Sequence, residues 1–145
     1  MTLVFEEADT MISTINTNNS DSSQPALALS MPNILLRVEG LAFFIGAIAV
    51  YANQGFSGVA FALLLLVPDV SMVGYLVNVT VGSRVYNIVH LYALPVLLMA
   101  FALATSTPLA LQIGLIWFAH ISMDRVAGYG LKYATDFKDT HLQHV

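Results

Sequence analysis

The stretch PNILLRVEGLAFFIGAIAVYA, residues 32–52, decides the fold class of this chain. Apart from Asn33, Arg37 and Glu39 near its start, its side chains are apolar or aromatic. A helix needs about 20 largely apolar residues to cross the hydrocarbon core of a bilayer. Pro32 suits the first position of a helix, where its missing N–H group would have no partner anyway. We therefore expect a membrane-spanning helix over residues 32–52.

Three further segments have a similar length and apolar character, at residues 57–77, 84–104 and 108–126. The connections between the segments are short, so neighbouring helices are expected to be antiparallel. Pro68 and Pro95 lie inside the second and third segments and are expected to kink them. In lipid, a helix satisfies its backbone hydrogen bonds within its own segment. The sequence thus predicts an all-α fold, a four-helix transmembrane bundle.

Composition excludes a soluble domain and several kinds of site. Of the 145 residues, 57% are hydrophobic and 10% are charged, whereas soluble domains average about 25% charged residues. The net charge of −4 provides no basic face, so membrane lipid rather than nucleic acid is the expected partner. The chain has no cysteine, which excludes disulfides, thiolate metal ligands and a thiol nucleophile.

The two ends of the chain differ from its apolar middle. Residues 1–30 contain a polar run from position 13 to position 24 without apolar periodicity, so we expect a disordered N-terminal tail. Residues 31–145 form the predicted membrane domain and end in a short C-terminal tail. All five basic residues fall on the side of the bundle that holds both tails and the predicted loop at 78–83: Arg37, Arg84, Arg125, Lys132 and Lys138. Because basic residues concentrate on the cytoplasmic side, we expect both termini in the cytoplasm, with the bundle in the endoplasmic reticulum or plasma membrane.

Each predicted span carries an ionisable side chain at a similar depth. At a rise of 1.5 Å per residue, Glu39, His90 and His120 lie roughly 9 Å from the cytoplasmic ends of their spans, and Asp69 lies roughly 12 Å from its end. Ionisable residues inside a membrane are costly, and a functional role is the first hypothesis for them. We expect these side chains to converge on a pocket that opens toward the cytoplasm.

Helical spacing adds further residues to this pocket. Asp124 follows His120 by one turn and shares its helix face. Tyr86 and Asn87 precede His90 by one turn. The predicted catalytic residues are Asp69, His90, His120 and Asp124, and the predicted supporting residues are Glu39, Tyr86, Asn87 and Arg125.

Carboxyl groups and imidazoles in a low-dielectric pocket suit general acid–base catalysis, because burial moves their pKa values toward neutrality. Asp69 is expected to be the more deeply buried carboxyl group and to act as the acid. Asp124 is expected to stay ionised, and to orient His120 or activate water directly. Tyr86 or Asn87 would hold that water. Such a pocket suits the opening of an epoxide in a lipophilic small molecule, by water or by an internal hydroxyl, without a cofactor. Protonation of an alkene fits nearly as well.

Two alternatives remain open at this point. The same nitrogen and oxygen donors, from His90, His120, Asp124 and Asp69 with Glu39, could bind Zn²⁺, Mn²⁺ or Fe²⁺ for metal-assisted hydrolysis. Against a metal, the sequence contains neither HExxH nor the Glu-x-x-His pairs of di-iron bundles. The other alternative is a non-catalytic role in binding, scaffolding or transport. Against transport, the polar layer does not continue to the far side of the membrane.

Several short motifs resemble a family of small four-span membrane proteins, mostly bacterial, recorded as a domain of unknown function. They are RVEG at 37–40, PD at 68–69, GY at 74–75, YNIVH at 86–90, WFAHISMDR at 117–125, GYGLKY at 128–133 and THL at 140–142. The resemblance extends from about residue 31 to residue 142 and implies the same four-span fold. It also draws attention to Tyr129, Lys132 and His141, because the segment 128–133 could fold over the pocket mouth as a lid.

In size and hydrophobicity the chain is also similar to the small membrane epoxide hydrolases of fungal polyketide pathways. Those enzymes open epoxides that a flavin monooxygenase has formed, which builds cyclic ethers. The resemblance implies epoxide opening in natural-product biosynthesis, and a functional pairing of this chain with an epoxidase.

Overall fold

The computed structural model describes residues 30–144, so the predicted disordered tail lies outside the described residues except for Ser30. The α-helices are α1 (Met31–Asn53), α2 (Gly58–Leu64), α3 (Val79–Val89), α4 (Ala93–Thr105) and α5 (Pro108–Ala127). A 3₁₀ segment (Val67–Leu76) lies between α2 and α3, and a 3₁₀ turn (His141–Gln143) lies near the end of the chain. Within residues 30–144 the β-structure is a single isolated bridge between Lys132 and Thr140. The predicted all-α fold is confirmed.

Helix α5 lies at the centre of the packing, with α1 and α4 against it, while α3 packs against the 3₁₀ segment. Glycines allow the close approaches. A Cβ atom added at Gly40 of α1 would lie 2.8 Å from Cβ of Arg125, and one added at Gly114 of α5 would lie 2.6 Å from Cγ of Met99. The most deeply buried run, 119–122, is in the second half of α5. The least exposed residues of the bundle therefore lie in the C-terminal half of α5, next to a hydrophobic cluster of Tyr51, Leu115 and Ile116.

Three helical stretches in the described part of the chain are long and apolar enough to cross a membrane: Met31–Asn53, Gly58–Leu76 and Val79–Thr105. Their mean hydropathies are 1.9, 2.0 and 2.1. Many of their large apolar side chains face outward, such as Leu63 (73% exposed) and Leu97 (65% exposed). Burial in lipid removes such surfaces from water. The protein is therefore an integral membrane protein.

The predicted fourth span, 108–126, is a helix of sufficient length, α5. It is not among the three stretches that are apolar enough to cross a membrane, and its sequence includes Gln112, His120, Asp124 and Arg125. Length and composition therefore identify three spans but do not identify α5 as a fourth.

The second and third spans are interrupted, whereas the sequence predicted only kinks. A proline explains each interruption. A proline ring clashes with the carbonyl group four residues before it and removes one backbone hydrogen bond. Helix α2 ends at Leu64, four residues before Pro68, and the chain continues as the 3₁₀ segment. The break between α3 and α4 contains Leu91, four residues before Pro95.

The prediction of a loop at residues 78–83 is wrong, because a helix begins there. Asn78 is the N-cap of α3, and its side-chain oxygen accepts a 2.8 Å hydrogen bond from the backbone N–H of Val81. Asparagine is among the best N-cap residues, so the helix begins at Val79 instead of Arg84. The third stretch thereby extends over residues 79–105.

The predicted C-terminal tail folds back on the bundle as a strap, residues 128–144. Gly128 ends α5 with a φ of 91°, a conformation that glycine adopts without strain. Asn33 of α1 donates a side-chain hydrogen bond to the carbonyl of Leu142. Arg125 of α5 donates to the carbonyl of Tyr129 at 2.6 Å. The strap is thus attached to two helices at the end of the molecule where residues 119–125 are buried.

Candidate functional site

Four of the predicted residues form a cluster at this end of the bundle: Asp69, His90, His120 and Asp124. They come from three different features of the fold. Asp69 directly follows Pro68 in the 3₁₀ segment, His90 is the C-cap of α3, and the other two lie one turn apart on α5. The broken spans therefore place two of the four side chains at helix interruptions.

The four donor atoms of this cluster all lie within 4.8 Å of one another. The Nε2 atoms of His90 and His120 are 3.0 Å apart. From His90 Nε2, Oδ1 of Asp69 is at 3.7 Å and Oδ2 of Asp124 is at 3.6 Å. From His120 Nε2, the same two oxygens are at 3.5 Å and 3.8 Å. The two imidazoles and the two carboxylates thus point at one common centre.

Tyr86 supports the cluster from one turn before His90. Its backbone carbonyl lies 2.9 Å from His90 Nδ1, so Nδ1 carries the proton and donates it. Nε2 of His90 is then left with its lone pair toward the common centre. The Tyr86 hydroxyl donates to Oδ2 of Asp124 at 2.9 Å, and its ring stacks on the His90 ring with 3.7 Å between the centroids. One residue therefore orients two members of the cluster.

Burial of the two carboxyl groups is the reverse of the prediction. The side chain of Asp69 is 36% exposed and that of Asp124 is 11% exposed, while both histidine side chains are fully buried. The reason is position, because Asp124 is on the central helix and Asp69 is on the peripheral 3₁₀ segment. Burial therefore gives no ground for making Asp69 the protonated acid.

Of the predicted supporting residues, Tyr86 and Arg125 contact members of the cluster. Glu39 is exposed on α1 and is not part of the pocket, which corrects that prediction. The Asn87 side chain forms two hydrogen bonds with the backbone of Lys132 in the strap, at 2.7 Å and 2.8 Å. Arg125 donates to the carbonyls of Tyr129 and His90. Asn87 therefore holds the backbone of the strap, and Arg125 holds the backbone at Tyr129 and His90.

A cavity of about 230 Å³ lies between the cluster and the strap. Seven residues line this strap cavity: Asp69, Met72, Tyr86, Asp124, Tyr129, Lys132 and Phe137. The lid that the resemblance implies for 128–133 is matched in position by Tyr129 and Lys132. Sequence reasoning missed Met72 and Phe137, and no local pattern indicates them, because Phe137 reaches the cavity only when the strap folds back.

Lys132 is the basic residue that lines the strap cavity, and it is 7% exposed. Its Nζ donates to the carbonyl of Phe137 at 2.8 Å. The same atom lies 3.7 Å from the ring centroid of Phe137 and 4.8 Å from that of Tyr86. Desolvation lowers the pKa of Lys132, while the negative charges of Asp124 and Asp69 act in the opposite direction.

The donor set of the cluster fits a divalent metal ion. Four ligands about 2.1 Å from a tetrahedral ion lie about 3.4 Å from one another. The five distances between imidazole nitrogens and between nitrogens and carboxylate oxygens run from 3.0 to 3.8 Å. The two carboxylates would balance the charge of the ion. The Nδ1–H of His90 bonded to a carbonyl is the usual support of a metal-binding histidine.

A family model described as "Domain of unknown function (DUF4260)" matches residues 33–145. The matched range contains the whole cluster, the strap and the cavity between them. No curated protein matches the chain, and no solved structure matches it. The likeness to membrane epoxide hydrolases is not tested by these comparisons and stays a prediction.

Proposed function

The chain belongs to this family of unknown function, and from its own residues we propose that it is a membrane-embedded, metal-dependent hydrolase that acts on a lipophilic small molecule. Its catalytic centre is a divalent ion held by Asp69, His90, His120 and Asp124. The observation that carries the proposal is the convergence of four donor atoms within 4.8 Å at the spacing of a tetrahedral site.

Charge supports an ion at this position. Two carboxylates this close repel each other when both are ionised, and burial strengthens that repulsion. A divalent cation between them offsets the repulsion and pairs with the lone pair of His90 Nε2. Imidazole and carboxylate donors together suit Zn²⁺, Mn²⁺ and Fe²⁺. The metal alternative is therefore favoured over acid–base catalysis by the side chains alone.

The chemistry of the centre follows from the different exposure of its ligands. Both histidines and Asp124 are fixed by buried helices, whereas Asp69 is the most exposed ligand and lines the strap cavity. We assign to Asp69 the position that exchanges with water. A metal ion lowers the pKa of bound water to about 7. Such an ion would supply activated water for hydrolysis next to Asp69, at the wall of the strap cavity.

We further propose that α5 is a fourth span and that both termini are cytoplasmic. The polar residues of α5 are costly in lipid only when lipid surrounds them. His120, Asp124 and Arg125 are all buried within the protein, because α1 and α4 pack on α5. The strap cavity then opens toward the side that holds the basic residues, which is the cytoplasmic side.

Metal analysis tests the proposal. The full chain is purified in detergent, incubated separately with Zn²⁺, Mn²⁺ and Fe²⁺, desalted and analysed by mass spectrometry for elements. We expect about one ion per chain in the wild type, and loss of at least nine-tenths of it in His90→Ala and Asp124→Asn. Glu39→Gln removes an exposed carboxylate outside the cluster and should bind like the wild type. Absence of stoichiometric metal from the wild type would overturn the proposal.

Metal-free acid–base catalysis is the second candidate, and the 3.0 Å distance between His90 Nε2 and His120 Nε2 favours it. This is a hydrogen-bond distance. Because His90 Nε2 has no proton, His120 Nε2 would donate, and both carboxylates lie within 3.8 Å of each of the two nitrogens. Such a site would open an epoxide supplied by an epoxidase, with one carboxyl group as acid and water as nucleophile.

Chelation separates the two candidates. Turnover of trans-stilbene oxide, a lipophilic epoxide probe, is measured with and without EDTA. Turnover that survives EDTA but disappears in Asp69→Asn would support metal-free epoxide opening. Turnover that EDTA abolishes and added Zn²⁺ or Mn²⁺ restores would support the metal centre. An enzyme that turns over the probe equally as wild type and as Asp69→Asn would contradict both.

A further inference from the structure

We propose that Lys132 is the substrate-binding cation of this centre, and that the substrate presents an oxyanion group between the metal ion and Lys132 Nζ. The inference rests on the proposed metal centre and extends it to the class of substrate. It is carried by the placement of Lys132 opposite the cluster, across the strap cavity.

The side chain of Lys132 is buried among aromatic rings. Three aromatic rings surround its Nζ, those of Phe137, Tyr86 and Tyr75, with centroids at 3.7, 4.8 and 5.4 Å. Ring faces attract an ammonium group, and the attraction strengthens where water is excluded. The carbonyl of Phe137 accepts one of its three protons at 2.8 Å. The ammonium group is therefore held in position with donor capacity left over.

Lys132 does not use that capacity on the two carboxylates of the cluster. Within residues 30–144, no carboxylate oxygen lies within the 4.0 Å of an ion pair from its Nζ. The residue nevertheless shares the strap cavity with Asp69 and Asp124. The ammonium group and both carboxylates therefore line one cavity without forming an ion pair.

The charge of the filled centre selects the ligand. Two ionised aspartates and one divalent ion sum to zero, and Lys132 adds one positive charge. The remaining lining is apolar or phenolic, with Met72, Phe137 and Tyr129. An anionic oxygen group is therefore matched in charge, while a cationic group is repelled. One oxygen can bind the metal ion and another can accept from Lys132 Nζ, which orients the group for attack.

The backbone of Lys132 is also held by hydrogen bonds that its side chain does not make. Its backbone N–H and C=O are both paired with Asn87. Lys132→Met keeps most of the aliphatic length and removes the charge, and Lys132→Arg keeps the charge. Lys138 offers a matched control, because it is an exposed lysine of the same strap. Lys138→Met therefore makes the same chemical change without reaching the cavity.

The experiment uses the full chain in detergent, loaded with Co²⁺ as a spectroscopic substitute for the native ion. Inorganic phosphate and acetate are titrated separately while the visible absorption of Co²⁺ is recorded. We expect a saturable spectral change in the wild type, with an affinity at least tenfold weaker in Lys132→Met. Lys132→Arg should recover most of the affinity, and Lys138→Met should match the wild type. A response to phosphate alone would assign a phosphate group, and a response to both probes an oxyanion in general.

The possible failures are distinguishable. If no variant and no wild-type preparation gives a Co²⁺ spectrum, the metal centre itself is overturned, and Lys132 loses its role with it. If Co²⁺ binds but neither anion changes its spectrum, or if Lys132→Met responds like the wild type, the role of Lys132 is overturned and the metal centre stands. Amide exchange of residue 132 shows whether Lys132→Met keeps the strap docked. If Lys132→Met undocks the strap, the anion affinities of Lys132→Arg and the wild type are compared instead. These two affinities should agree within threefold.

Discussion

The hydroxyl of Tyr86 donates a 2.9 Å hydrogen bond to Oδ2 of Asp124, and this bond joins α3 to the central helix α5. The carbonyl of Tyr86 accepts the proton of His90 Nδ1 at the same time. Tyr86 therefore fixes the orientation of one carboxylate and the tautomer of one imidazole, although it is not itself one of the four clustered residues. Such support is a large part of what makes a set of ligands bind tightly.

Removing this hydroxyl should weaken metal binding while leaving the fold intact. In Tyr86→Phe the ring can still stack on His90, and only the bond to Asp124 is lost. We expect the affinity for Zn²⁺ to fall about 10- to 100-fold, as for other outer-shell partners of metal ligands. Affinity is measured by competition with a chromophoric chelator.

Tyr92→Phe is the matched control for that variant. It removes a hydroxyl that donates a 3.2 Å hydrogen bond to Ser122 of α5. Neither Tyr92 nor Ser122 is one of the four clustered residues. Its Zn²⁺ affinity should stay within twofold of the wild type. Equal losses in the two variants would mean that Tyr86 acts only through general stability.

The attachment of the strap should depend on Asn87. Its amide pairs with both the N–H and the C=O of Lys132, so Asn87→Ala leaves two backbone groups without their partner. At about 1 kcal/mol for each hydrogen bond, docking should weaken by about 2 kcal/mol. Hydrogen exchange at the amide of Lys132 should accelerate about 30-fold. Asn53→Ala, at the exposed end of α1, is expected to leave that exchange rate unchanged. If exchange at Lys132 were equally slow in both variants, the strap would be held by other contacts.

The first residues of two helices could be predicted from sequence, because the residues that favour a helix start are local. Helix α5 begins at Pro108, and α1 begins one residue before Pro32; proline is favoured in the first turn of a helix. The depth of a residue in a span is also local, since it depends only on its distance from the helix end. That is why Asp69, His90 and His120 could be grouped before their contacts were known.

Rotation about the helix axis is not local, and Glu39 illustrates the difference. Glu39 has the same depth as the histidines, yet it is exposed, while Gly40 next to it faces Arg125. Successive residues on a helix differ by about 100° in direction, so the packing partner of α1 decides which of the two faces inward. Phe137 and Lys132 were hard to place for a related reason, because their position depends on how the strap folds back.

Acid should loosen the strap through His141. Its Nδ1 lies 2.8 Å from the backbone N–H of Leu131 and accepts that proton, so the imidazole must be unprotonated at Nδ1. Burial, aided by the charge of Arg125, lowers the pKa of His141 below 6.5. Between that lowered value and 6.5, the free strap binds more protons than the docked one. Docking is therefore fully stabilised above about pH 6.5 and loses this contribution as the pH falls toward the lowered pKa.

Amide exchange of Leu131 measured at pH 7.5 and at pH 5, corrected for intrinsic rates, checks this prediction. Protection should fall in acid for the wild type. His141→Gln supplies a side-chain acceptor that does not titrate, so its protection should be nearly independent of pH. His144→Gln changes the other histidine of the strap and should keep the loss in acid. Protection that falls equally in His141→Gln would assign the effect to another group.

The close approach of α1 to α5 should be more sensitive to a methyl group than the approach of α4 to α5. A Cβ at Gly40 would lie 2.8 Å from Cβ of Arg125 and 3.1 Å from the carbonyl oxygen of Ser122, neither of which can move without the helix. A Cβ at Gly114 mainly meets Cγ of Met99, which belongs to a flexible side chain. Gly40→Ala should therefore lower the free energy of unfolding by about 1–3 kcal/mol, and Gly114→Ala by less than about 1 kcal/mol. Unfolding of both variants by SDS in mixed micelles measures the difference.

Because Arg125 follows Asp124, displacement of α5 in Gly40→Ala should also reduce the amount of bound metal. A Gly40→Ala variant with full metal content and wild-type stability would show that the contact between α1 and α5 is loose.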